Sequence, residues 1–114
     1  MLLNCTSLKS IIQNFDGKNV KNIHSMFENC QSLTSLDLSN FNAENIGLMD
    51  SIFKKCYSLT SIDLSSFNAR RVNNEDFLFY ECKSLKNINL SNFSIENAYY
   101  MRSYVLSLLF FKIY

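Results

Sequence analysis

Four cysteines, a single histidine and a pair of recurring aspartates are the residues of this chain best suited to chemistry. The cysteines stand at Cys5, Cys30, Cys56 and Cys82, at intervals of 25, 26 and 26 residues. Four thiols allow three disulfide pairings or a four-thiolate metal site. A structural zinc site needs ligands converging on a tetrahedron, typically in pairs about two to four residues apart. Intervals this long place the thiols in a line instead, one per repeat. Adjacent rows would bring Cα atoms within the roughly 4.4–6.8 Å that a disulfide spans, so a bond between rows stays open. Each Cys is also in phase with Leu and Phe positions, and a free Cys packs as a small hydrophobe. The reading is an inert ladder of core thiols, and no metal is expected.

His24 precedes Cys30 by six residues, which does not align them on one helix face. A Cys–His nucleophile pair needs direct contact and a third orienting group, so His24 reads as a surface residue. Gly17 and Gly47 are isolated, and no phosphate-cradling loop exists. Asp37 and Asp63 could attract a cation. Two carboxylates fall short of calcium's roughly six to eight oxygens, so neighbouring Ser and Asn would have to share the ion. An enzyme needs titratable groups clustered in a pocket, and a periodic sequence scatters them. No catalytic residue and no cofactor is expected.

The elements that position these residues come from the repeat itself. Each Cys is followed by Ser-Leu: Ser7-Leu8, Ser32-Leu33, Ser58-Leu59 and Ser84-Leu85. Further on lie Ile11, Leu36, Ile62 and Ile88, then Phe15, Phe41, Phe67 and Phe93, then Val20, Ile46, Val72 and Ala98. Ahead of each Cys stands Leu2, Phe27, Phe53 or Phe79. Within one unit, Leu33-x-x-Leu36-x-Leu38 ends in the alternation of a short strand with one buried face. The bridge Ser39-Asn40-Phe41-Asn42 supplies turn chemistry. Ile46, Met49, Ile52, Phe53 and Cys56 then recur at intervals of three and four, as do Val20, Ile23, Met26, Phe27 and Cys30, which predicts an apolar helix stripe.

A unit this short cannot bury its own apolar face, so units must stack, with like strands paired in parallel. The absence of Pro fits, because each strand's N–H groups are needed by the next row. The expected fold is an α/β, leucine-rich-repeat-type solenoid of about four strand–turn–helix coils with a parallel sheet on one face. Its single domain spans 1–114, with coils at about 5–29, 30–55, 56–81 and 82–107 and a partial coil at 108–114.

Leu33-x-x-Leu36-x-Leu38-x-x-Phe41 resembles the leucine-rich repeat strand signature, with Phe where the usual repeat has Asn or Cys. The longer phrase Met26-Phe27-x-x-Cys30-x-Ser32-Leu33-x-x-Leu36-Asp37-Leu38-Ser39-Asn40-Phe41-Asn42 resembles the BspA-like leucine-rich repeat surface proteins. Within them it is most similar to the mycoplasma-type surface-lipoprotein repeats, which have no assigned chemistry. The resemblance implies a cell-surface or secreted location and a role in adhesion or host contact.

Eleven basic residues against ten acidic ones give a net charge of +1, which offers nucleic acid or an anionic membrane no long-range attraction. No run approaches the roughly 18–20 apolar residues of a membrane span. The start, MLLNCTSLKS, lacks the basic region and sustained apolar core of a signal peptide. The outward strand positions form three polar columns: Ser35, Asp37 and Ser39; Ser61, Asp63 and Ser65; Asn87, Asn89 and Ser91. They read either as a solvated sheet face or as a flat platform for a protein or glycan ligand. The expected function is a non-catalytic binding module, the alternative being a structural spacer that presents another domain. Met1-Leu2 aligns with Met26-Phe27, and Phe111 and Tyr114 with Leu33 and Leu36. A slice of a longer array, prone to end-to-end self-association, is therefore expected.

Overall fold

The computed structural model describes residues 4–12, 17–39, 41, 45–66, 77–89, 91 and 112–113. Its strands are β1 (Ser10–Ile12), β2 (Ser35–Asp37), β3 (Ser61–Asp63), β4 (Asn87–Asn89) and β5 (Lys112–Ile113). All pairings are parallel and run one repeat apart. Ser10 pairs with Ser35, Ser61 with Asn87, and Asn87 with Lys112. β1 and β2 form one sheet and β3, β4 and β5 a second, with β2 and β3 lying against each other. The Ser66 hydroxyl donates to the Leu38 carbonyl at 2.8 Å and ties those two rows together.

Alternation along the strands is as the sequence predicts. Leu36, Ile62 and Ile88, the central residues of β2, β3 and β4, are buried between outward neighbours. Equivalent residues stack from unit to unit in one core: Phe27, Phe53 and Phe79; Cys30, Cys56 and Cys82; Leu33, Leu59 and Leu85. Full burial of a Leu, Ile or Phe side chain contributes about 1.5–3 kcal/mol. Neighbouring rows therefore supply what one unit lacks.

The expected strand–turn–helix coil is overturned. Among the described residues there is no helix, so this is not an α/β, leucine-rich-repeat-type solenoid. The segments predicted as helices, 20–30 and 46–56, instead carry runs of successive turns at 24–29 and 50–55. Their hydrogen bonds show why. The N–H groups of Ile23, Ser25, Phe27 and Asn29 donate across to the carbonyls of Leu48, Asp50, Ile52 and Lys54 at 2.7–3.0 Å. The intervening N–H groups of Met26, Glu28 and Cys30 donate back to Ile23, Ser25 and Phe27, closing four-residue turns. An α-helix would spend every donor beyond its first turn inside its own segment. Here half of them bind the next unit.

Backbone dihedrals mark the same departure. Ser25, Ser51 and Phe77 have φ of 54°, 60° and 57°, and Asn4, Asn29, Lys55 and Glu81, each just before a Cys, have φ of 60°, 62°, 61° and 59°. Left-handed residues at both positions of the turn runs at 25–29, 51–55 and 77–81 break any right-handed helix there. The tail also departs from its expected phase. Ile88 pairs with Ile113, one residue earlier than the alignment of Tyr114 with Leu36 requires. Expectations for Leu2, Phe15, Phe67, Val72, Phe93 and Ala98, and for all of 92–111, fall outside the described residues.

Candidate functional site

The polar columns occupy the positions assigned to them. Ser35, Asp37, Ser39, Ser61, Asp63, Asn87 and Ser91 are exposed, while Ser65 and Asn89 are half-buried. Asp63 pairs with Asn89 across the ladder, and the Asn89 side chain hydrogen-bonds it. Yet the middle residue of each column, Asp37, Asp63 or Asn89, is already engaged. Asp37 Oδ1 accepts the Ser39 N–H at 2.9 Å, Asp63 Oδ1 the Ser65 N–H at 2.8 Å, and Asn89 Oδ1 the Ser91 N–H at 3.1 Å. Such side chains mimic a backbone turn and end each strand after three residues.

These bonds set the carboxylates' titration. The Ser39 backbone N–H, then its hydroxyl, holds Asp37 below its ordinary value of 3.8. Asp63 is lowered first by the Ser65 hydroxyl, then by the Ser65 N–H and Asn89, against partial burial and weaker repulsion from Asp37. A depressed folded-state value gives stability that is present above the unfolded value and lost as pH falls through the folded one. The wild type should therefore weaken as pH drops below about 4. Asn89 shows that an amide serves as well, so Asp37→Asn with Asp63→Asn should keep the neutral-pH urea midpoint and flatten its acid dependence. Asp63→Ala should cost about 1 kcal/mol. Equal midpoints for the Asn and Ala variants would show that the turns do not need these side chains.

In the thiol ladder, Cys30, Cys56 and Cys82 are buried and Cys5 is half-buried, all unbridged. The Cys56 thiol donates to the Phe27 carbonyl at 3.2 Å and the Cys82 thiol to the Phe53 carbonyl at 2.9 Å. Burial pushes Cys56 up to about 12 and raises Cys82 further. Thiols held protonated in this way are poor nucleophiles and poor metal ligands. Among the described residues no group of three His, Cys, Asp or Glu side chains could hold a metal ion.

His24 is exposed, as expected, but it sits in a cluster the sequence reading missed. Its Nδ1 lies 2.6 Å from Asp50 Oδ2 and its Nε2 lies 3.2 Å from the buried Ser25 Oγ. Lys54 Nζ pairs with Glu28 at 3.2 Å. Burial raises Glu28, but hydrogen bonds from Ser25 and Lys54 outweigh it and hold the carboxyl below its ordinary value. The signal was available, because partners one repeat apart face each other: His24 opposite Asp50, Glu28 opposite Lys54. Asp50–His24–Ser25 has the connectivity of a hydrolytic triad without its chemistry. The Ser25 N–H is spent on the Asp50 carbonyl, the Met26 N–H on Ile23 and the His24 N–H on the Asn22 side chain, so these amides do not form an oxyanion hole. The cluster fastens neighbouring rows, beside an open groove lined by Val20, Asn22, Ile23, His24 and Met26.

Among the described residues this arrangement defines a tandem-repeat protein, in which successive units lay short parallel strands and runs of turns against one another. Its family follows from comparison. Residues 1–112 match the family described as "Mycoplasma protein of unknown function, DUF285", and the chain belongs to that family. No curated protein and no solved structure matches it. Among the described residues no helix is long and apolar enough to cross a membrane.

Proposed function

We propose that this chain is a non-catalytic binding module of a mycoplasma-type surface protein, similar in role to the BspA-like proteins, that contacts a protein or glycan ligand. The observation that carries this reading is the outward row Ser35, Ser61 and Asn87. These side chains are exposed, small and polar, and Ser61 pairs directly with Asn87. Paired strands stand about 4.8 Å apart, so Ser61 and Asn87 present a hydroxyl and an amide on adjacent rows. Such a face lacks large aromatic anchors, so each module binds weakly and affinity grows with the number of units.

A second reading has its own support. Asp37, Asp63 and Asn89, the most polar members of the columns, serve the chain's own turns. That is what a spacer requires, since its repeats need only hold a shape. Changing Ser35, Ser61 and Asn87 together to Arg separates the two. For a binding module, adherence of the purified chain to mammalian cells or to a glycan array should fall at least about tenfold, with the melt unchanged. Wild-type adherence by the triple variant, or none by the wild type itself, would favour the spacer.

A further inference from the structure

The first turn row has one unfinished side. The N–H groups of Ile23 and Ser25 donate to the carbonyls of Leu48 and Asp50 at 2.9 and 3.0 Å, and the Leu48 N–H returns to the Lys21 carbonyl at 3.4 Å. Asn22 thereby pairs with Leu48 as in a parallel ladder. A trans peptide points its C=O and N–H in opposite directions. The Asn22 N–H and the carbonyls of Asn22 and His24 therefore face away from the second row. Among the described residues nothing bonds these three groups. A groove of about 240 Å³ runs beside them, lined by Val20, Asn22, Ile23, His24 and Met26. Val20 and Met26 are half-buried, whereas Ile46 and Ile52, one repeat on and covered by the row before, are fully buried. The rim is basic. From 17 to 26 the chain carries Lys18, Lys21 and His24 and no acid, and Lys21 is exposed with no carboxylate against it among the described residues.

We propose that this side of the first turn row binds an extended acidic peptide by adding it as one more row. The peptide lies parallel to 20–25, as 20–25 lies to 46–51. One of its carbonyls accepts the Asn22 N–H, and the N–H groups two and four residues later donate to the carbonyls of Asn22 and His24. Side chains in like positions of neighbouring rows face each other, as His24 and Asp50 do at 2.6 Å. An acid in the first of these peptide positions therefore meets Lys21, and an acid three residues on meets His24. The residue donating to Asn22 takes the place that Ile23 and Met49 hold in their rows, both buried, so it is apolar and lies in the groove. The residue donating to His24 takes the place of Ser25 and Ser51, also buried, where a small side chain fits. The motif read off the rows is acid–x–apolar–acid–small. Its site shares no residue with the row Ser35, Ser61 and Asn87 and does not depend on that row binding anything.

The isotope-labelled full chain is titrated with the end-blocked peptide Ile-Glu-Leu-Met-Asp-Ser, at neutral pH and low salt. The amide signals of Asn22, Ile23 and His24 should shift saturably, while those of Ser35, Ser61 and Asn87 stay in place. Replacing both acids of the peptide by Lys should weaken binding at least about tenfold. N-methylation at its Met and Ser removes the two donors and should do the same, whereas N-methylation at its Leu and Asp should change affinity less than about twofold. Lys21→Glu alters an exposed side chain and should leave the melt unchanged. It should lose the acidic peptide at least about tenfold and regain affinity for one with Lys in place of Glu. Equal affinity for the two N-methylated peptides overturns the proposal, as does equal affinity for the acidic and Lys peptides. So do shifts confined to residues outside 20–26, or no saturation below about 5 mM peptide.

Discussion

Phe53→Ala should abolish cooperative folding or bring the chain to its margin, losing about 3–5 kcal/mol. Phe53 is fully buried, and its ring lies between two others. Its centroid is 5.9 Å from Phe27 at an interplanar angle of 7°, and 5.6 Å from Phe79 at 6°. Each stacked pair adds about 0.5–1.5 kcal/mol to the burial of the ring. The site cannot readily collapse after truncation. An apolar space lined by Ile23, Met26, Phe27, Leu38, Phe41 and Ile52 already borders Phe53, so the change enlarges a void instead of exposing a surface. A domain's whole stability is about 5–15 kcal/mol, so a loss of this size is most of it. Phe53→Leu keeps much of the volume and should cost roughly half as much. Urea unfolding followed by tyrosine fluorescence measures both. A loss below about 1 kcal/mol for the Ala variant would mean that the stack does not join the units.

Much of that ladder was legible before any coordinates. The coincidence of Phe27, Phe53 and Phe79 at one interval placed them at one level of a stack, and the parallel registers bear this out at Ser10 with Ser35 and Ser61 with Asn87. The buried face of each strand was legible for the same reason. Leu36 and Ile62 alternate with Ser and Asp, and a period of two belongs to a strand. The turn segments were misread because spacing alone could not separate two solutions. Ile23, Phe27 and Cys30 recur at four and three, which suits a helix stripe. It equally suits a chain that buries Ile23, Ser25 and Phe27 alternately and then turns inward again at Cys30. The buried Ser25 and Ser51 were the clue, since the stripe assigned neither of them to the core. What tips the balance is non-local. Carbonyls of Leu48, Asp50, Ile52 and Lys54 wait one unit away, and a helix would leave them unpaired by the preceding row.

The candidate face was legible as polar, but its division of labour was not. Ser35 and Asp37 look alike as outward residues of one strand. Only the geometry at the strand end shows that Asp37 reaches the Ser39 N–H, while Ser35 stays on the open row. The His24–Asp50 contact was legible in principle, because it joins residues 26 apart, as Glu28 with Lys54 does on the same rows.

Substitutions at Lys55 should separate the turn from the helix by reversing an order of stability. Lys55 is half-buried, has φ of 61°, and its N–H donates to the Tyr80 carbonyl at 2.7 Å. A residue with a Cβ held there carries about 1–2 kcal/mol of steric cost, which Gly does not. Gly gives back about 0.5–1 kcal/mol through the greater freedom of its unfolded chain. Lys55→Gly should therefore match the wild type or exceed it by up to about 1 kcal/mol. Lys55→Val places a β-branched side chain in the same region and should lose about 1–3 kcal/mol. In a helix the order would invert, because Gly is the poorest residue after Pro and Val ranks a few tenths of a kcal/mol above it. Neither substitution removes the N–H to Tyr80, so the comparison isolates the backbone. Urea midpoints at neutral pH decide it. A Val variant more stable than the Gly variant would restore the helix and remove the left-handed turn before Cys56.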